Sequence, residues 1–296
     1  MKNPLVSVVI LTWNRKDDLI ETITELRKSS YASIEVIVVD NGSEDGTPAV
    51  IKERFPDVVF VRLEKNTGIA GYNIGMKKAR GEYVVLLDSD SFPDRSGIER
   101  MVKIFESDSK VGAVAFDVHN LIVESRESGV GSQKSLDLFK CKDVYGYNGA
   151  GVGIRKECLE KAGYLFEPYF LYFNEQDHAF RILQAGYKIK FHPEIIAYHK
   201  TSTTSRVSSS APYFYTRNLL WMIWRFYPIR YAFIATVSLF FYASLSTVQQ
   251  RTFIYMKAIL DAIFGFSMVL SNRFVVDRNI IKNVRIPIRW AFTAYI

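Results

Sequence analysis

The chain of 296 residues contains only two cysteines, Cys141 and Cys158. They do not form a CxxC metal or redox motif, and they are too few for a dense disulfide framework. This scarcity excludes a small disulfide-stabilised scaffold and favours a reducing compartment. The apolar run at residues 5–11 also lacks a small-residue cleavage site after it. We therefore expect this run to form a buried strand rather than a signal peptide.

The sequence has no Walker A phosphate-binding loop. Its glycine-rich stretch at residues 149–153 does not open a strand–helix dinucleotide unit, which disfavours ATPases and NAD-dependent enzymes. A nucleotidyltransferase is an alternative, because it too combines an α/β fold with paired aspartates and Mg²⁺. Such an enzyme is expected to carry a glycine-rich basic loop after its first strand. Residues 12–15, Thr-Trp-Asn-Arg, do not supply one.

The formal charge of +7, from 38 basic and 31 acidic residues, fits an anionic partner such as a nucleotide, a nucleic acid or an acidic lipid surface. The surplus is concentrated after residue 271, where only one acidic residue, Asp277, occurs. The basic residues there are Arg273, Arg278, Lys282, Arg285 and Arg289. A basic tail beside an apolar stretch favours lipid, and we expect no nucleic-acid partner.

Apolar runs of strand length alternate with helix-periodic stretches over the first hundred-odd residues. The runs span residues 6–12, 35–39, 58–63, 83–87 and 111–116, and the helical stretches span 16–28, 46–55, 70–80 and 97–106. This alternation predicts an α/β fold with a mostly parallel sheet flanked by helices, which binds ligands at the carboxyl ends of its strands. After a polar region at 117–147, we expect helices at 155–162 and 175–185, short strands at 188–191 and 195–198, and a linker at 202–210.

Two aspartates follow the predicted strand at residues 83–87, in the order Asp88-Ser89-Asp90. Side chains two residues apart project the same way from an extended chain, which suits coordination of a divalent cation that also holds a diphosphate. Mg²⁺ or Mn²⁺ would neutralise charge on a leaving nucleotide. A solvated acidic turn before a helix is the competing interpretation.

Two further loops follow predicted strands. Asp40 ends one strand, and its carboxylate could accept a hydrogen bond from a nucleotide base or a ribose hydroxyl; a simple strand-to-helix turn is the alternative. Residues 66–75 are rich in glycine at a loop-to-helix junction, where the backbone can approach a phosphate-bearing ligand. Helix–sheet packing is the alternative for these glycines.

Together, residues 6–15, the Asp40 loop, residues 66–75, Asp88-Ser89-Asp90 and residues 174–181 resemble the family 2 inverting glycosyltransferases of the GT-A fold, and the rhamnosyltransferase-like branch most of all. The resemblance covers about residues 5–200 and implies a GT-A catalytic domain over residues 1–205. It implies transfer of a hexose from a UDP-, dTDP- or GDP-linked donor to a hydroxyl of a glycan or lipid-linked acceptor, as in polysaccharide biosynthesis or protein glycosylation.

The resemblance also assigns residues to the donor site. Those implied to bind the nucleotide sugar are Thr12, Asn14, Arg15, Asp40, Asn66, Gly68, Asn73, Asp88, Ser89 and Gly151. Asp90 would be the main protein ligand of the divalent cation, Mn²⁺ or Mg²⁺, and His199 would complete the metal site. Imidazole suits Mn²⁺ better than Mg²⁺. A lone histidine with a structural role is the alternative for His199.

The catalytic segment departs from the family pattern, which is often Glu-Asp-x-Asp with an arginine after three more residues and the first Asp as general base. Asp177 and Arg181 keep the expected spacing, so Glu175 occupies the base position and Asn174 replaces the usual Glu. The extra methylene of Glu175 moves its carboxylate by about 1.5 Å. Asp177 is the alternative base, with an i,i+4 ion pair to Arg181 as its competing role. A membrane scaffold that has lost catalysis is the non-enzymatic alternative.

A C-terminal helical region is expected at residues 211–296. Residues 231–248 carry no charge and just reach the length that spans a bilayer, whereas the next apolar stretch contains Lys257 and Asp261, a costly pair at mid-bilayer. We therefore expect peripheral, monotopic helices at the cytoplasmic face of the cell membrane. The residues expected at head-group level are Trp221, Trp224, Arg225, Tyr227 and Arg230. A membrane-spanning hairpin and a soluble region that forms a homodimer are the alternatives.

Overall fold

The structure, a computed structural model, describes residues 3–122, 141–201 and 210–284. The basic residues Arg285 and Arg289, the expected linker before Ser210 and the central part of the polar region after residue 117 lie outside the described residues. The chain divides into two compact units. The first comprises Met1–Phe170 and His178–Thr203, and the second comprises Leu171–Asp177 and Thr204–Ile296.

A nine-stranded sheet forms the centre of the first unit. Its strands are β1 (Val6–Thr12), β2 (Ile34–Asp40), β3 (Val59–Arg62), β4 (Tyr83–Asp88), β5 (Ser91–Pro93), β6 (Val111–Ile122), β7 (Lys142–Val144), β8 (Val152–Arg155) and β9 (Lys188–Thr201). The spatial order is β3-β2-β1-β4-β8-β6-β9-β5, and β7 pairs with β9. The half from β3 to β4 is parallel, as predicted, whereas β8 runs antiparallel to both β4 and β6. The whole sheet is therefore mixed.

Helices cover both faces of this sheet. They are α1 (Lys16–Leu26), α2 (Thr47–Arg54), α3 (Ala70–Lys78), α4 (Gly97–Ser107), α5 (Lys156–Ala162), a 3₁₀ turn at Glu167–Tyr169 and α6 (Asn174–Gln184), whose first turn belongs to the second unit. Alternate residues of a strand face opposite sides. Accordingly, Val8 packs in the core with Leu19 of α1, whereas Val9 packs in the opposite core with Met76 of α3. Burial on both faces explains the continuous apolar runs of the sequence.

The two short strands expected at residues 188–191 and 195–198 are one strand, β9. It pairs with β6 in parallel, and the register shifts where Phe116 pairs with His192 and Asp117 with Ile196. Pro193 lies in this irregularity. A proline has no backbone N–H to donate to a ladder, which accounts for the break in the apolar pattern and for the two-strand prediction.

The second unit is helical. It contains α7 (Ala211–Phe226), α8 (Ile229–Gln249), α9 (Ile254–Phe264), α10 (Phe266–Ser271) and α11 (Arg278–Asn283). The indole N–H of Trp221 donates to the carbonyl of Ala262 at 2.9 Å, and that of Trp224 donates to Thr236 Oγ1 at 2.9 Å, so α7 is fixed to both α9 and α8. Pro228 separates α7 from α8, because a residue before proline avoids helical geometry.

Helix α8 exposes much of its apolar surface. Side chains such as Phe233, Val237 and Phe240 are more than half exposed. Among the residues described, α8 is the one helix whose length and composition would allow it to cross a membrane. In α9, Asp261 accepts a hydrogen bond from the hydroxyl of Tyr213 at 2.8 Å, so this carboxylate faces α7. The acidic side chain that argued against a membrane-spanning helix therefore faces the helix bundle.

Candidate metal and nucleotide site

Three adjacent strands end in polar residues at the same edge of the sheet. Thr12 closes β1, Asp40 closes β2 and Asp88 closes β4. The register pairs Thr12 with Asp40 and Leu11 with Asp88. The parallel half of the sheet therefore brings together three of the residues predicted to bind a nucleotide sugar.

Asp88, Asp90 and His199 form one cluster at this edge, with their potential ligand atoms all within 4.8 Å of one another. His199 Nε2 lies 3.4 Å from Asp90 Oδ1 and 3.9 Å from Asp88 Oδ2. The antiparallel pairing of Ser91 with His199 creates this proximity, and Lys200 N donates to the Asp90 carbonyl at 2.9 Å. Both aspartates of the Asp-Ser-Asp turn thus meet the one histidine that the sequence singled out.

The side chains around the cluster orient its members. The Tyr72 hydroxyl donates to Asp88 Oδ1 at 2.8 Å, and Arg15 Nη1 lies 2.9 Å from Asp90 Oδ2. His199 Nδ1 hydrogen-bonds to Asn120 Oδ1 at 3.1 Å. Because an amide oxygen only accepts, His199 Nδ1 carries the proton, and the lone pair of the neutral ring is on Nε2, which faces the carboxylates.

Two carboxylates and an imidazole nitrogen are a donor set that suits a divalent cation, and Mn²⁺ accepts imidazole more readily than Mg²⁺ does. Asp90 is almost completely buried. Bringing a buried carboxylate close to the carboxylate of Asp88 is unfavourable without a compensating positive charge. Arg15 supplies part of that charge, and the residues present fit a cation as well.

The loop after β2 is connected to the two neighbouring loops. Asp40 is fully buried, and its Oδ1 accepts a hydrogen bond from Ser43 N at 3.0 Å. Asn14 N donates to Ser43 Oγ at 2.8 Å. Asn41 Nδ2 donates to the Gly68 carbonyl at 3.0 Å. These contacts make a continuous polar rim from the end of β1 to the start of α3.

Gly68 adopts the left-handed backbone that glycine favours, with φ of +60°. A Cβ atom here would lie 2.1 Å from the carbonyl oxygen of Phe170, so the position admits no larger residue without movement. Asn66 Oδ1 accepts from Gly68 N at 2.8 Å and stabilises the turn. Both residues predicted from the glycine-rich loop therefore shape its backbone.

Three other predicted donor-site residues contribute to packing. Asn73 is buried, and its amide nitrogen donates to the Leu165 carbonyl and to Glu167 Oε1, each at 2.9 Å. Gly151 directly precedes β8, and a Cβ there would be 2.8 Å from Ala197 Cβ. Ser89 is buried, and its carbonyl accepts from the Thr22 hydroxyl at 3.0 Å. A nucleotide-binding role for Asn73 and Gly151 would act through the segments that they fix.

Buried ionisable residues occupy the part of α6 in the first unit. His178 Nδ1 hydrogen-bonds to the Tyr147 hydroxyl at 2.6 Å, and burial lowers the pKa of His178 well below its ordinary value. Arg181 Nη1 donates to the Ala162 carbonyl at 2.7 Å. Burial lowers the pKa of Arg181 to about 10, so its guanidinium stays charged at neutral pH.

The two candidate bases lie in the second unit, on the first turn of α6. Asp177 is fully buried and forms an ion pair with Arg225 of α7. Glu175 is only partly buried.

The prediction that Arg225 and Trp221 lie at head-group level is wrong, because both side chains are packed inside the helical unit.

Three contributors to these sites carried no functional signal in the sequence. Asn41 belongs to an Asn-Gly pair that is typical of a turn, and Tyr72 has the spacing of a helix core residue. Asn120 falls in the polar region expected to be variable. Each forms a hydrogen bond with a residue that is distant in sequence. Such contacts depend on the order of the strands in the sheet, which no local sequence pattern reveals.

The family model of glycosyl transferase family 2 matches residues 7–163 of this chain. The poly-β-1,6-N-acetyl-D-glucosamine synthase of Staphylococcus aureus strain MSSA476 is 33% identical over 113 residues, which cover 37% of this chain and 27% of the synthase. The uncharacterized glycosyltransferase YwdF of Bacillus subtilis strain 168 is 33% identical over 105 residues, covering 34% of this chain and 38% of that protein. The matches thus span well under half of either relative.

Solved structures share the fold. S. aureus TarS 1–349 in complex with UDP-GlcNAc superposes with a TM-score of 0.59 at 18% identity, covering 74% of this chain and 66% of that fragment. The mannosyltransferase PcManGT from Pyrobaculum calidifontis, in complex with GDP-Man and Mn²⁺, gives a TM-score of 0.57 at 17% identity, covering 98% of this chain and 78% of that one. The mixed sheet with flanking helices is therefore the GT-A fold that the sequence predicted.

Proposed function

Because the chain belongs to glycosyl transferase family 2, we propose that it transfers a hexose from a nucleoside-diphosphate sugar to a hydroxyl of a glycan or lipid-linked acceptor. The observation that carries this proposal is the cluster of Asp88, Asp90 and His199 at the carboxyl ends of the parallel strands. Ligands of open α/β sheets bind at this edge. Membership of this family favours sugar transfer over nucleotidyl transfer, and the rhamnosyltransferase-like branch stays a prediction.

The donor is proposed to be linked to UDP, GDP or dTDP. Structural neighbours were solved with UDP-GlcNAc and with GDP-Man, which supports the first two. The buried Asp40 carboxylate would accept a hydrogen bond from the base or the ribose. Its Oδ2 has no hydrogen-bond partner among the described residues and lies 3.8 Å from Arg62 Nε, so this buried oxygen can still accept a hydrogen bond from a ligand.

The diphosphate of the donor would meet the cluster of Asp88, Asp90 and His199. A divalent cation held there, Mn²⁺ or Mg²⁺, would stabilise the negative charge of the departing diphosphate. Arg15 adds a fixed positive charge beside Asp90. These charges would be in place before the bond to the sugar breaks and would bind the diphosphate more strongly as negative charge develops on it, which favours the transition state over the ground state.

Glu175 is proposed to be the general base. It would remove the proton of the acceptor hydroxyl as that oxygen attacks the anomeric carbon, while the bond from this carbon to the diphosphate oxygen breaks. The proton ends on Glu175 and the electron pair on the nucleoside diphosphate. A single displacement inverts the anomeric configuration. Partial exposure of Glu175 favours it over the fully buried Asp177 as the group that meets an acceptor.

Release of nucleoside diphosphate tests the proposal. The full chain is incubated with UDP-GlcNAc, GDP-mannose and dTDP-rhamnose in turn, with Mn²⁺, with Mg²⁺ and with EDTA. We expect one donor to be turned over, and we expect EDTA to abolish turnover. A matched Asp94→Ala variant serves as control for Asp90→Ala, because Asp94 pairs with Arg100 outside the cluster. Metal-independent turnover with intact activity of Asp90→Ala would refute the assignment.

The helical unit is proposed to associate peripherally with the cytoplasmic face of the membrane. The exposed apolar side chains of α8 and the exposed Arg230 at its start support contact with lipid. Asp261 of the neighbouring helix α9 is hydrogen-bonded to Tyr213 of α7. Cosedimentation of the full chain with vesicles tests the proposal, and recovery of all protein in the supernatant would contradict it.

A further inference from the structure

We infer that α7 is a positioning element for the general base: Asn218 and Arg225 hold residues 171–177, and with them Glu175, through buried polar contacts. The inference rests on the proposed role of Glu175. It assigns a positioning function to a helix that lies outside the region matching the family, residues 7–163. All the contacts that carry it lie within the helical unit.

The first contact fixes the backbone that precedes α6. Asn218 is fully buried, and its amide nitrogen donates to the carbonyls of Leu171 at 2.6 Å and Tyr172 at 3.2 Å. A buried amide requires acceptors, and these two carbonyls supply them. Displacement of the segment would therefore leave the buried amide of Asn218 without these acceptors.

The second contact maintains an unusual backbone conformation. Tyr172 and Phe173 both have φ of +65°, a region that bulky residues rarely adopt. The Tyr172 ring stacks on Tyr215 of α7 with centroids 4.2 Å apart, and Phe173 meets the same ring edge-on at 5.7 Å. Such conformations persist where the surroundings enforce them, and they are common at functional sites. Here α7 supplies the enforcing contacts.

The third contact anchors the helix itself. Arg225 forms a buried ion pair with Asp177, two residues after Glu175. The guanidinium of Arg225 covers this carboxylate, and its full burial keeps it from contact with an acceptor hydroxyl. Asp177 therefore acts as a positioning residue, and its partly exposed neighbour Glu175 is left as the base.

The test uses the full chain with Mn²⁺ and whichever of UDP-GlcNAc, GDP-mannose and dTDP-rhamnose the wild type turns over. Arg225→Gln is compared with Arg80→Gln, whose arginine pairs with Glu35 on the surface at the opposite end of β2. We expect kcat of Arg225→Gln to fall by at least about 30-fold with donor KM within about twofold of wild type, because misplacing the base affects the chemical step alone. Arg80→Gln should match the wild type.

Four further variants separate positioning from general destabilisation. Arg225→Lys should retain more kcat than Arg225→Gln, because it keeps the charge. The double variant Asp177→Asn/Arg225→Gln should have a higher kcat than Asp177→Asn alone. Neutralising both partners removes the buried charge that the single variant leaves unpaired. If Arg225→Gln does not fold, Asn218→Ser is assayed in its place, with the same expected loss of kcat at unchanged KM.

Hydrogen–deuterium exchange provides a readout that does not depend on turnover. In Arg225→Gln, amides of residues 171–177 should exchange faster, whereas those of β1 and β4 should be unchanged. Full kcat in Arg225→Gln and Asn218→Ser, or unchanged exchange of residues 171–177, overturns the inference. Absence of turnover by the wild type with every donor refutes the proposed function instead, and the exchange result then still decides whether α7 holds the segment.

Discussion

His199 Nε2 lies 3.4 Å from Oδ1 of Asp90, although β9 and the turn after β4 are far apart in sequence. The short strand β5 produces this relationship, because its antiparallel pairing with β9 aligns Ser91 with His199. A three-residue strand thus determines where the only histidine of the cluster points. The contact gives the metal proposal a geometry that substitutions can test.

Replacing Asp90 with Asn should remove metal-dependent stabilisation. For the wild type, Mn²⁺ together with a nucleoside diphosphate should raise the melting temperature, because binding to the native state adds RT ln(1 + [L]/Kd) to stability. Asp90→Asn should show no metal-dependent rise, and His199→Gln should show a smaller one. Asp94→Asn is the matched control. An undiminished Mn²⁺ response in Asp90→Asn would rule out the assigned ligand.

Replacing Glu175 with Gln should lower kcat by about 100-fold or more, the usual contribution of a general base. The donor KM should stay close to that of the wild type. Glu175→Asp supplies the residue that the family often has here and should keep measurable activity. Glu157→Gln, on an exposed glutamate paired with Lys161, controls for the substitution. Turnover by Glu175→Gln at the wild-type rate would show that Glu175 is not the general base.

Alanine substitutions at two glycines should separate backbone strain from steric clash. Gly46 and Gly68 both have positive φ, but nothing lies within 4 Å of a Cβ at Gly46, whereas the Phe170 carbonyl lies 2.1 Å from one at Gly68. We expect Gly46→Ala to lower the free energy of unfolding by about 1 kcal/mol. Gly68→Ala should lower the free energy of unfolding by about 2 kcal/mol more than Gly46→Ala does, because its added methyl group overpacks the site. Urea denaturation measures both, and equal losses would contradict the close approach of Phe170.

His178 should make the protein less stable as the pH falls below about 6.5. Burial holds the folded-state pKa of His178 below its ordinary value, so the unfolded chain binds a proton that the folded chain does not. His178 therefore does not change the free energy of unfolding above pH 6.5. Below that pH it lowers the free energy of unfolding by up to about 1.4 kcal/mol per pH unit. Urea denaturation between pH 7 and pH 5 should give a shallower dependence for His178→Asn. His192→Asn controls for the substitution, and an unchanged slope in His178→Asn would contradict the prediction.

Two phenylalanines of α8 should contribute to vesicle binding. Phe233 and Phe240 are seven residues apart, which places them on the same side of the helix, and both are exposed. Phe233→Gln/Phe240→Gln should bind vesicles at least about tenfold more weakly, since each buried ring contributes more than 1 kcal/mol. Ser238→Gln, on the same helix, is the control. Equal vesicle binding by the double variant and the wild type would show that this face of α8 does not contact the vesicle.

The sequence predicted the parallel half of the sheet well, because strands buried on both faces are apolar throughout. Its runs at residues 6–12 and 83–87 correspond to β1 and β4 within a residue. The strands β5, β7 and β8 were not predicted. They have three or four residues each, and no longer apolar run marks them in the sequence as the run at residues 58–63 marks the equally short β3. Their position is set by pairing with β4, β6 and β9.

The site was predicted where it follows strands and was missed where it depends on packing. Asp88 and Asp90 stand directly after an apolar run, which is visible in the sequence. Arg225 was placed at head-group level because tryptophans and a tyrosine surround it, a composition typical of membrane interfaces. Its partner Asp177 lies 48 residues away, and no local pattern reports such a pairing.

The path of the chain through its two units also sets the order in which the proposed active site is completed during synthesis. Residues 171–177 are made before α7, and the strand β9 follows them before the chain reaches Asn218 and Arg225. The turn that carries Glu175 therefore leaves the ribosome without the side chains that hold it. The sheet with its aspartate cluster can be finished first, and Glu175 acquires its anchored position only after the sixteen residues of α7 have been added.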